Sequence, residues 1–439
     1  MNDRINRRQF SKAAAVVATA VPMVHAAGAR AETEKEKPVR IGFVGVGGRG
    51  TGMMHYSLGI KGVQVPAVCD VHVGRADSAA SAVERTGQKR PEIYTKGETD
   101  YERMMDRDDL DAVYIATPWE WHTPMAVCAM KKNKYAGVEV PCAITLDECW
   151  QLVKTSEETG VPCMMMENWS FRRDNLAVLN MIRKGLFGEI VHCHCAHSHN
   201  CVSWYLGKGW PKEHLLERCA DQYPTHSLGP VLSWMDINCG DRFDTVVSMA
   251  SGQWGITDQL ARKYGRDHAL TKSDWKQGDV VTTMVKTVKG KTIVINMDMQ
   301  LPRPYDNRWL IQGTRGLYNE QRDAVYLAGN GKGHNPERWA PFGPYQTEHE
   351  HQWHHGKDSP GGKYGRAGHG GVDPLELELF VEAVRSQAQT PIDVYDSVVM
   401  SVIFPLSEMS ISKGSQPVKC PDFTSGKWET TKPKFAVEG

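Results

Sequence analysis

Continuous apolar runs alternate with longer amphipathic segments over the first part of the chain. The runs at residues 39–44, 63–69 and 110–116 are rich in β-branched residues, and segments with helical periodicity follow them. Such runs are typical of parallel strands that helices cover on both faces. The pattern predicts a doubly wound parallel α/β sheet over residues 39–167, preceded by a charged linker at 32–38.

From residue 168 onward the predicted elements change in kind. Helices are predicted at residues 175–184, 375–384 and 394–412. Runs with β propensity lie at residues 189–196, 246–251, 280–286 and 292–297. They predict an α+β domain over residues 168–439, built on an open, mostly antiparallel sheet. One face of that sheet would cover the ligand of the first domain, and the other could support a partner subunit in a homo-oligomer.

Length and charge narrow the classes of function. A chain of 439 residues suits two domains, and 41% hydrophobic residues are ordinary for a globular protein. The 52 basic and 52 acidic residues give a formal net charge of zero, so no general positive field attracts nucleic acid. Apolar runs are too few for a polytopic membrane protein. We therefore expect a small-molecule partner, no nucleic acid and no membrane span.

The first residues have the pattern of an export signal. Residues 6–12 contain a twin-arginine motif, and the apolar stretch at 13–24 is shorter than the roughly 20 residues that a membrane span needs. Residues 29–31 (Ala-Arg-Ala) are a candidate cleavage site, and Ala27 is a second one. The pattern predicts a twin-arginine signal peptide at 1–31 and a mature protein that is periplasmic or secreted.

A glycine-rich loop follows the first predicted strand and has the spacing G-x-G-x-x-G. Gly45 allows a tight turn, Gly47 lets the backbone approach a pyrophosphate, and Gly50 lets a helix pack on the strand. Asp70 ends the second apolar run, where a carboxylate accepts hydrogen bonds from ribose hydroxyls. The combination predicts an NAD-binding Rossmann domain. The acid disfavours the 2′-phosphate of NADP, although Arg75 nearby leaves NADP open.

Histidines and cysteines alternate between His192 and Cys201, which suggests a metal cluster at first sight. Alternate residues of a strand point to opposite faces, and the paired spacings of zinc sites are missing. We predict no metal.

The order of these features resembles the Gfo/Idh/MocA family of sugar-handling oxidoreductases, with 117–122 (Thr-Pro-Trp-Glu-Trp-His) and 139–141 (Glu-Val-Pro) following the glycine loop. Most dehydrogenases of that family have a proton-transferring lysine where this chain has Val140. A branch that lacks the lysine is glycoside hydrolase family 109, the NAD-dependent α-N-acetylgalactosaminidases. Further strings resemble that branch: 166–168 (Met-Glu-Asn), 179–181 (Leu-Asn-Met), 185–189 (Gly-Leu-Phe-Gly-Glu), 223–226 (Tyr-Pro-Thr-His), 301–305 (Leu-Pro-Arg-Pro-Tyr) and 368–371 (Gly-His-Gly-Gly).

The resemblance implies which residues bind the cofactor and the sugar. Besides Gly45, Gly47 and Gly50, it places these residues around NAD: Gly48, Arg49, Asp70, Trp119, Glu120, Trp121, His122, Glu139, Val140 and Asn168. It places Tyr223, His226 and Tyr305 where nicotinamide meets sugar. His369 lies in a Gly-rich loop and is a further candidate for substrate binding, with simple turn geometry as the alternative.

Two positions depart from the family pattern. His197 stands where the family usually has a substrate-binding tyrosine, and Lys212 follows Trp210-Pro211 where the family has an arginine. The sugar pocket is therefore expected to be altered, and its specificity for N-acetylgalactosamine is open.

The resemblance also implies a reaction that does not use the usual carboxylate pair. NAD takes hydride from sugar C3, the C2 proton becomes acidic, the C1 leaving group is expelled, and water addition and reduction complete the cycle. His226 suits the proton transfers because the ordinary pKa of histidine is about 6.5. Its alternative role is to cap a helix near Leu228 or to form a hydrogen bond with buried backbone. Tyr223 and Tyr305 are either chemical groups or aromatic walls.

Three functions follow from these observations. The first is an exported NAD-dependent glycosidase for an α-linked (N-acetyl)hexosamine. The second is an NAD-dependent sugar or inositol dehydrogenase, and the third is a non-catalytic carbohydrate-binding protein that retains NAD. Val140 and export away from the cellular NAD pool favour the first, because its cofactor is regenerated in each cycle.

Overall fold

The computed structural model describes residues 37–329 and 337–437. The predicted signal peptide at 1–31 and most of the predicted linker at 32–38 lie outside these residues.

In the described part of the chain, the first sheet has six strands: β1 (Val39–Val44), β2 (Val63–Cys69), β3 (Glu92–Tyr94), β4 (Ala112–Ile115), β5 (Tyr135–Val138) and β6 (Cys163–Met165). The helices that connect them are α1 (Gly48–Leu58), α2 (Val73–Glu84), α3 (Asp100–Met105), α4 (His122–Lys131) and α5 (Leu146–Thr159). The strand order is β3-β2-β1-β4-β5-β6, and all pairs are parallel. The predicted doubly wound sheet is confirmed. Its order reverses between β1 and β4, where ligands of such sheets bind at the carboxyl ends of the strands.

Local sequence explains both ends of α5. Thr145 and Glu148 form a reciprocal capping box at its start, and Gly160 ends it in the left-handed conformation, with φ of 69°. β4 is buried along its whole length, as expected for a central parallel strand.

The second sheet is mixed and mostly antiparallel. Its described strands are β7 (Ile190–Ser198), β8 (Phe243–Ala250), β9 (Val281–Thr287), β10 (Thr292–Asp298), β11 (Leu310–Gly313), β12 (Gly316–Asn319), β13 (Ala324–Leu327), β14 (Ala340–Pro341) and β15 (Val418–Lys419). The order is β14-β13-β12-β11-β7-β10-β9-β8-β15. β7 and β10 pair in parallel, and the other pairs are antiparallel. The predicted sheet type is confirmed.

The helices of this part are α6 (Arg173–Arg183), α7 (Val202–Lys208), α8 (Trp210–Glu217), α9 (Thr225–Trp234), α10 (Gly255–Tyr264), α11 (Phe342–Glu348), α12 (Ala367–Ser386), α13 (Val394–Ser401) and α14 (Ile403–Ser412). The helix predicted at 394–412 is present as α13 and α14, which meet at Val402. Pro405 has no N–H to donate to Ser401, so the hydrogen-bond ladder is interrupted there. By length and composition this stretch is apolar enough to cross a membrane, but 72% of it is buried inside the protein.

The two faces of the second sheet differ. α9 packs against β7 and α14 packs against β8 on one face. On the other face Met249 of β8 and Met284 of β9 are 65% and 54% exposed. The sheet is thus apolar and covered on one side and partly apolar and open on the other.

Candidate active site

A cleft of about 1100 Å³ lies at the carboxyl ends of β1, β2 and β4 and extends to β7 and α9. Small-molecule sites typically have roughly 300–1,000 Å³, so this cleft has room for a dinucleotide and a sugar. These predicted site residues line it: Gly45, Gly47, Gly48, Arg49, Asp70, Trp119, Glu120, Trp121, His122, Glu139, Val140, Asn168, His197, Tyr223, His226, Tyr305 and His369.

Gly50 and Lys212 are not among the lining residues. A Cβ on Gly50 would lie 2.0 Å from the carbonyl oxygen of Gly45, so this glycine lets α1 pack on the loop. Lys212 lies in α8, where its ammonium group is 3.3 Å from a carboxylate oxygen of Glu213. Its contact with substrate stays a prediction, while Trp210 of the same helix does line the cleft.

The glycine loop has the geometry that a pyrophosphate site requires. Gly45 has φ of 80°, and a Cβ there would lie 2.6 Å from the carbonyl oxygen of Ala116. A Cβ on Gly48, the first residue of α1, would meet nothing within 4 Å. α1 has no side-chain cap and no acidic residue in its first turn. Its first N–H groups are therefore available to an anion in the cleft.

Asp70 follows β2 at the cleft wall and is 7% exposed. Its Oδ1 accepts a hydrogen bond of 2.8 Å from the backbone N–H of His72. This bond orients the carboxylate at the position where a ribose hydroxyl is bound in dinucleotide sites. The loop and this acid together fit NAD.

Arg49 connects the glycine loop to two buried carboxylates. Its Nε lies 2.6 Å from Glu139 Oε1, and its Nη1 lies 2.7 Å from Asp373 Oδ2. The hydroxyl of Tyr114 donates to Glu139 at 2.6 Å, and the amide of Asn168 donates to Asp373 at 2.7 Å. A network of hydrogen bonds and ion pairs therefore connects the first sheet's domain to α12 beside the cofactor side of the cleft.

His369 lies in a turn that α12 carries at its start. It has φ of 44°, and Gly368, Gly370 and Gly371 beside it also have positive φ. Its Nδ1 lies 2.8 Å from Asp373 Oδ2, and its side chain is 52% exposed. Burial favours the neutral acid, but the bond to His369 and the charge of Arg49 hold the pKa of Asp373 well below its usual range.

His226 forms a second pair of this kind near the start of α9. Its Nδ1 lies 2.8 Å from Oε1 of Glu167, which follows β6 and is fully buried. The Trp169 ring packs edge-on against both His226 and His369, with centroid distances of 5.9 and 5.5 Å. The two histidines therefore contact the same indole at the wall of the cleft.

His197 lies at the centre of the sugar side. Its ring stacks on Tyr223 at 4.8 Å, and its Nε2 is 3.2 Å from Nε2 of His199. Burial and the neighbouring charges of His226 and His199 hold the pKa of His197 well below its usual range, so it is neutral. Desolvation raises the pKa of Tyr223 and Tyr305, so both hydroxyls stay protonated.

Trp119 and His122 position the loop after β4. Trp119 is 3% exposed and packs against Trp210 and Tyr223, so it is both core and cleft wall. The ring nitrogens of His122 lie 2.7 and 2.9 Å from the carbonyl oxygens of Pro141 and Thr117, and burial lowers its pKa. Within residues 37–329 and 337–437, no group of three or more His, Cys, Asp or Glu side chains is arranged to hold a metal ion.

Residues at the site that were not predicted include Trp169, His199, Asp373, and Glu167 in its contact with His226. Asp373 follows His369 by four positions, but His369 has φ of 44°, so the spacing rule of a regular helix does not explain their contact. Nothing local pointed from Glu167 to His226.

Comparisons with known proteins agree with this geometry. Residues 171–430 match the model of the glycosyl hydrolase 109 C-terminal domain. The chain belongs to glycosyl hydrolase family 109. Residues 39–167 match the NAD-binding Rossmann fold of the Gfo/Idh/MocA oxidoreductase family. The predicted family, the glycosidase class and NAD as cofactor are confirmed.

Two relatives illustrate the similarity. An α-N-acetylgalactosaminidase of Tannerella forsythia is 37% identical over 96% of this chain and 95% of its own length. An α-N-acetylgalactosaminidase of Shewanella oneidensis is 38% identical over 98% of each chain.

Solved structures show the same fold at low identity. A scyllo-inositol dehydrogenase from Lactobacillus casei with bound NAD(H) and scyllo-inositol has a TM-score of 0.61 at 12% identity, covering 87% of this chain and 99% of its own. An NAD-binding oxidoreductase from Klebsiella pneumoniae has a TM-score of 0.66 at 17% identity, with 88% and 99% covered. At this distance the likeness shows the fold alone.

Proposed function

We propose that this protein hydrolyses an α-linked N-acetylhexosamine glycoside by transient oxidation at sugar C3. The observation that carries the proposal is the two histidine–carboxylate pairs, His226 with Glu167 and His369 with Asp373, whose histidines both contact Trp169. Oxidation followed by elimination needs at least one base and one acid, and the two pairs supply them. The names of the relatives from Tannerella forsythia and Shewanella oneidensis support the substrate class.

The residues that would hold the cofactor are the glycine loop, the start of α1 and Asp70. When bound, NAD supplies a reversible hydride acceptor at sugar C3. Val140, at the position of the dehydrogenase lysine in the resemblance, is 5% exposed and lines the cleft. Because valine cannot transfer a proton, this task falls to other side chains.

His226 is the base on the sugar. Its Nδ1 is engaged by Glu167, so Nε2 is the nitrogen available to accept the proton of a sugar hydroxyl or of C2. The alternative role as a helix cap loses support, because α9 begins at Thr225 without a side-chain cap bond.

His369 is the acid at the glycosidic oxygen. Its ring is held by Asp373 through Nδ1, and its side chain is half exposed at the cleft, where an aglycone has room to leave. Tyr223 and Tyr305 donate hydrogen bonds to the sugar rather than remove protons, because both stay protonated. His197 replaces a tyrosine of the family pattern beside them, so the pocket that reads the sugar substituents is altered.

The test is hydrolysis of α- and β-p-nitrophenyl glycosides, including the N-acetylgalactosaminides, in D2O without added cofactor. Release of p-nitrophenol with deuterium at sugar C2 is the expected result, because elimination breaks that C–H bond. Replacement of His226 by asparagine is expected to lower the rate roughly 10²- to 10⁴-fold while NAD stays bound. Cleavage without deuterium at C2 rules out the elimination route. Absence of cleavage with steady NADH formation from free sugars indicates a dehydrogenase.

We also propose that the protein is exported and is cleaved after Ala31. The twin-arginine motif and the short apolar stretch at 13–24 support this location. N-terminal sequencing of the protein recovered from a periplasmic fraction is expected to begin at Glu32. An intact N-terminus in the cytoplasm contradicts export.

Self-association through the open face of the second sheet is a further proposal. Met249 and Met284 on that face are mostly exposed, and exposed apolar side chains that share a face are typical of interaction surfaces.

The domain boundary near residue 167 stays a proposal as well. Limited proteolysis between the two family matches at 39–167 and 171–430 tests it.

A further inference from the structure

Glu167 is a fully buried carboxylate that no part of the proposed reaction uses directly. Its Oε1 accepts a hydrogen bond from the backbone N–H of Trp169 at 3.1 Å and lies 2.8 Å from Nδ1 of His226. Its Oε2 accepts from the backbone N–H and the hydroxyl of Ser170, at 2.8 and 2.6 Å. Three donors and the contact with His226 therefore fix both oxygens.

A carboxylate in this arrangement is an acceptor only. The carboxylate has no hydrogen to donate, so the contact with His226 requires a hydrogen on Nδ1. In a neutral imidazole this leaves the lone pair on Nε2. The ring of His226 is 14% exposed and borders the cleft, so the basic nitrogen is the one that can reach a ligand.

The helix that carries His226 is shaped to fit Glu167. Gly229 lies in the next turn of α9, and a Cβ there would be 2.0 Å from Oε2 of Glu167 and 3.0 Å from the hydroxyl of Ser170. Only a residue without a side chain allows α9 to approach this closely. The close approach brings His226 within hydrogen-bond distance of the carboxylate.

We propose that Glu167 is a positioning residue that fixes the tautomer and orientation of His226, so that Nε2 is the base toward the sugar. The inference rests on the proposed function for its kinetic consequence, but not for the tautomer itself. Glu167 does not touch substrate in this proposal. It acts through His226.

The tautomer is measured directly by 15N NMR of histidine-labelled protein, with the His226 signals identified by their loss in His226→Asn. Wild type is expected to carry the hydrogen on Nδ1. In Glu167→Gln the side-chain NH2 cannot accept a hydrogen bond, so the backbone N–H of either Trp169 or Ser170 loses its acceptor. The preference of His226 for a hydrogen on Nδ1 is then expected to disappear. A hydrogen on Nε2 in wild type, or an unchanged tautomer in Glu167→Gln, overturns the proposal.

Kinetics supply the second readout. In Glu167→Gln, kcat is expected to fall roughly 10²- to 10⁴-fold, as for an orienting acid lost from a catalytic histidine, with KM changed less than about threefold. An unchanged kcat overturns the proposal. If wild type cleaves no glycoside, the proposed function fails, while the tautomer measurement still decides the role of Glu167.

Asp241 offers a matched control for the loss of a buried carboxylate. It is 1% exposed and accepts from two backbone N–H groups, of Arg242 and Lys289, and from the hydroxyl of Thr287. It is not among the residues that line the cleft. Asp241→Asn is expected to lower stability but leave kcat and the His226 tautomer unchanged. A fall in kcat equal to that of Glu167→Gln means that the effect is structural and overturns the proposal.

Discussion

Arg49 and Asp373 are 324 positions apart in sequence, yet Nη1 of the arginine lies 2.7 Å from Oδ2 of the aspartate. The same guanidinium lies 2.6 Å from Glu139. One cation of the glycine loop therefore compensates two carboxylates that are almost removed from water. The contact joins the first sheet's domain to the helix that carries His369.

Replacement of Arg49 by methionine is expected to destabilise the protein by about 3 kcal/mol, because two buried carboxylates lose their cation. The arginine side chain is 27% exposed, so some solvent screening remains. Arg49→Lys keeps the charge and is expected to recover part of the loss. Denaturant unfolding measures the difference. A loss below about 0.5 kcal/mol in Arg49→Met means that the network carries little stability.

The depressed pKa of Asp373 predicts how the free energy of unfolding changes at low pH. Its pKa is depressed in the folded protein, so its contribution to stability is present above the unfolded value of about 3.9 and is lost as pH falls toward the folded value. Unfolding free energies of wild type and Asp373→Asn are expected to converge as pH falls below about 4. Parallel curves down to pH 2 contradict the depressed pKa.

The glycine loop, Asp70 and the residues after β4 and β5 were predictable, because strand ends in a doubly wound sheet converge on one edge. Local motifs therefore located most of the cleft. The contacts of Asp373 and Glu167 were not, since each depends on how a distant helix packs. Gly229 shows the reason: its role appears only when α9 is placed against Glu167.

The resemblance of Trp210-Pro211-Lys212 to a family pattern implies a sugar contact for Lys212, which stays a prediction. Trp210 of α8 lines the cleft, and the lysine lies beside Glu213. The apolar pattern at 394–412 locates α13 and α14, and Pro405 interrupts their hydrogen bonds locally.

His369→Asn tests the role of the second pair through the leaving group. A glycoside with a p-nitrophenyl group needs little acid assistance, because its phenolate leaves readily, whereas an alkyl glycoside needs a proton on the departing oxygen. The variant is expected to lose roughly 10²-fold or more activity on an alkyl glycoside and much less on the p-nitrophenyl compound. Equal losses on both substrates would falsify the assignment as acid.

Met284→Lys tests the open face of the second sheet. A lysine in place of this exposed methionine puts two like charges near a twofold interface, and the oligomer is expected to dissociate. Light scattering coupled to gel filtration measures the mass. Lys286→Met, on the same strand and face, is the reverse change and is expected to keep the oligomer. A wild-type mass of one chain removes the proposal.

Alanine substitutions at Gly47 and Gly45 are expected to distinguish effects on NAD affinity from effects on stability. Gly47 has φ of −74°, and a Cβ there would meet only an Arg75 nitrogen at 3.9 Å, so Gly47→Ala is expected to change stability by less than about 0.5 kcal/mol. Its methyl group lies where the backbone must approach the pyrophosphate, so NAD affinity is expected to fall at least about tenfold in calorimetry. Gly45 has φ of 80°, and a Cβ there would lie 2.6 Å from the carbonyl oxygen of Ala116. Gly45→Ala is therefore expected to lower stability as well as NAD affinity. Unchanged NAD affinity in Gly47→Ala places the pyrophosphate away from this loop.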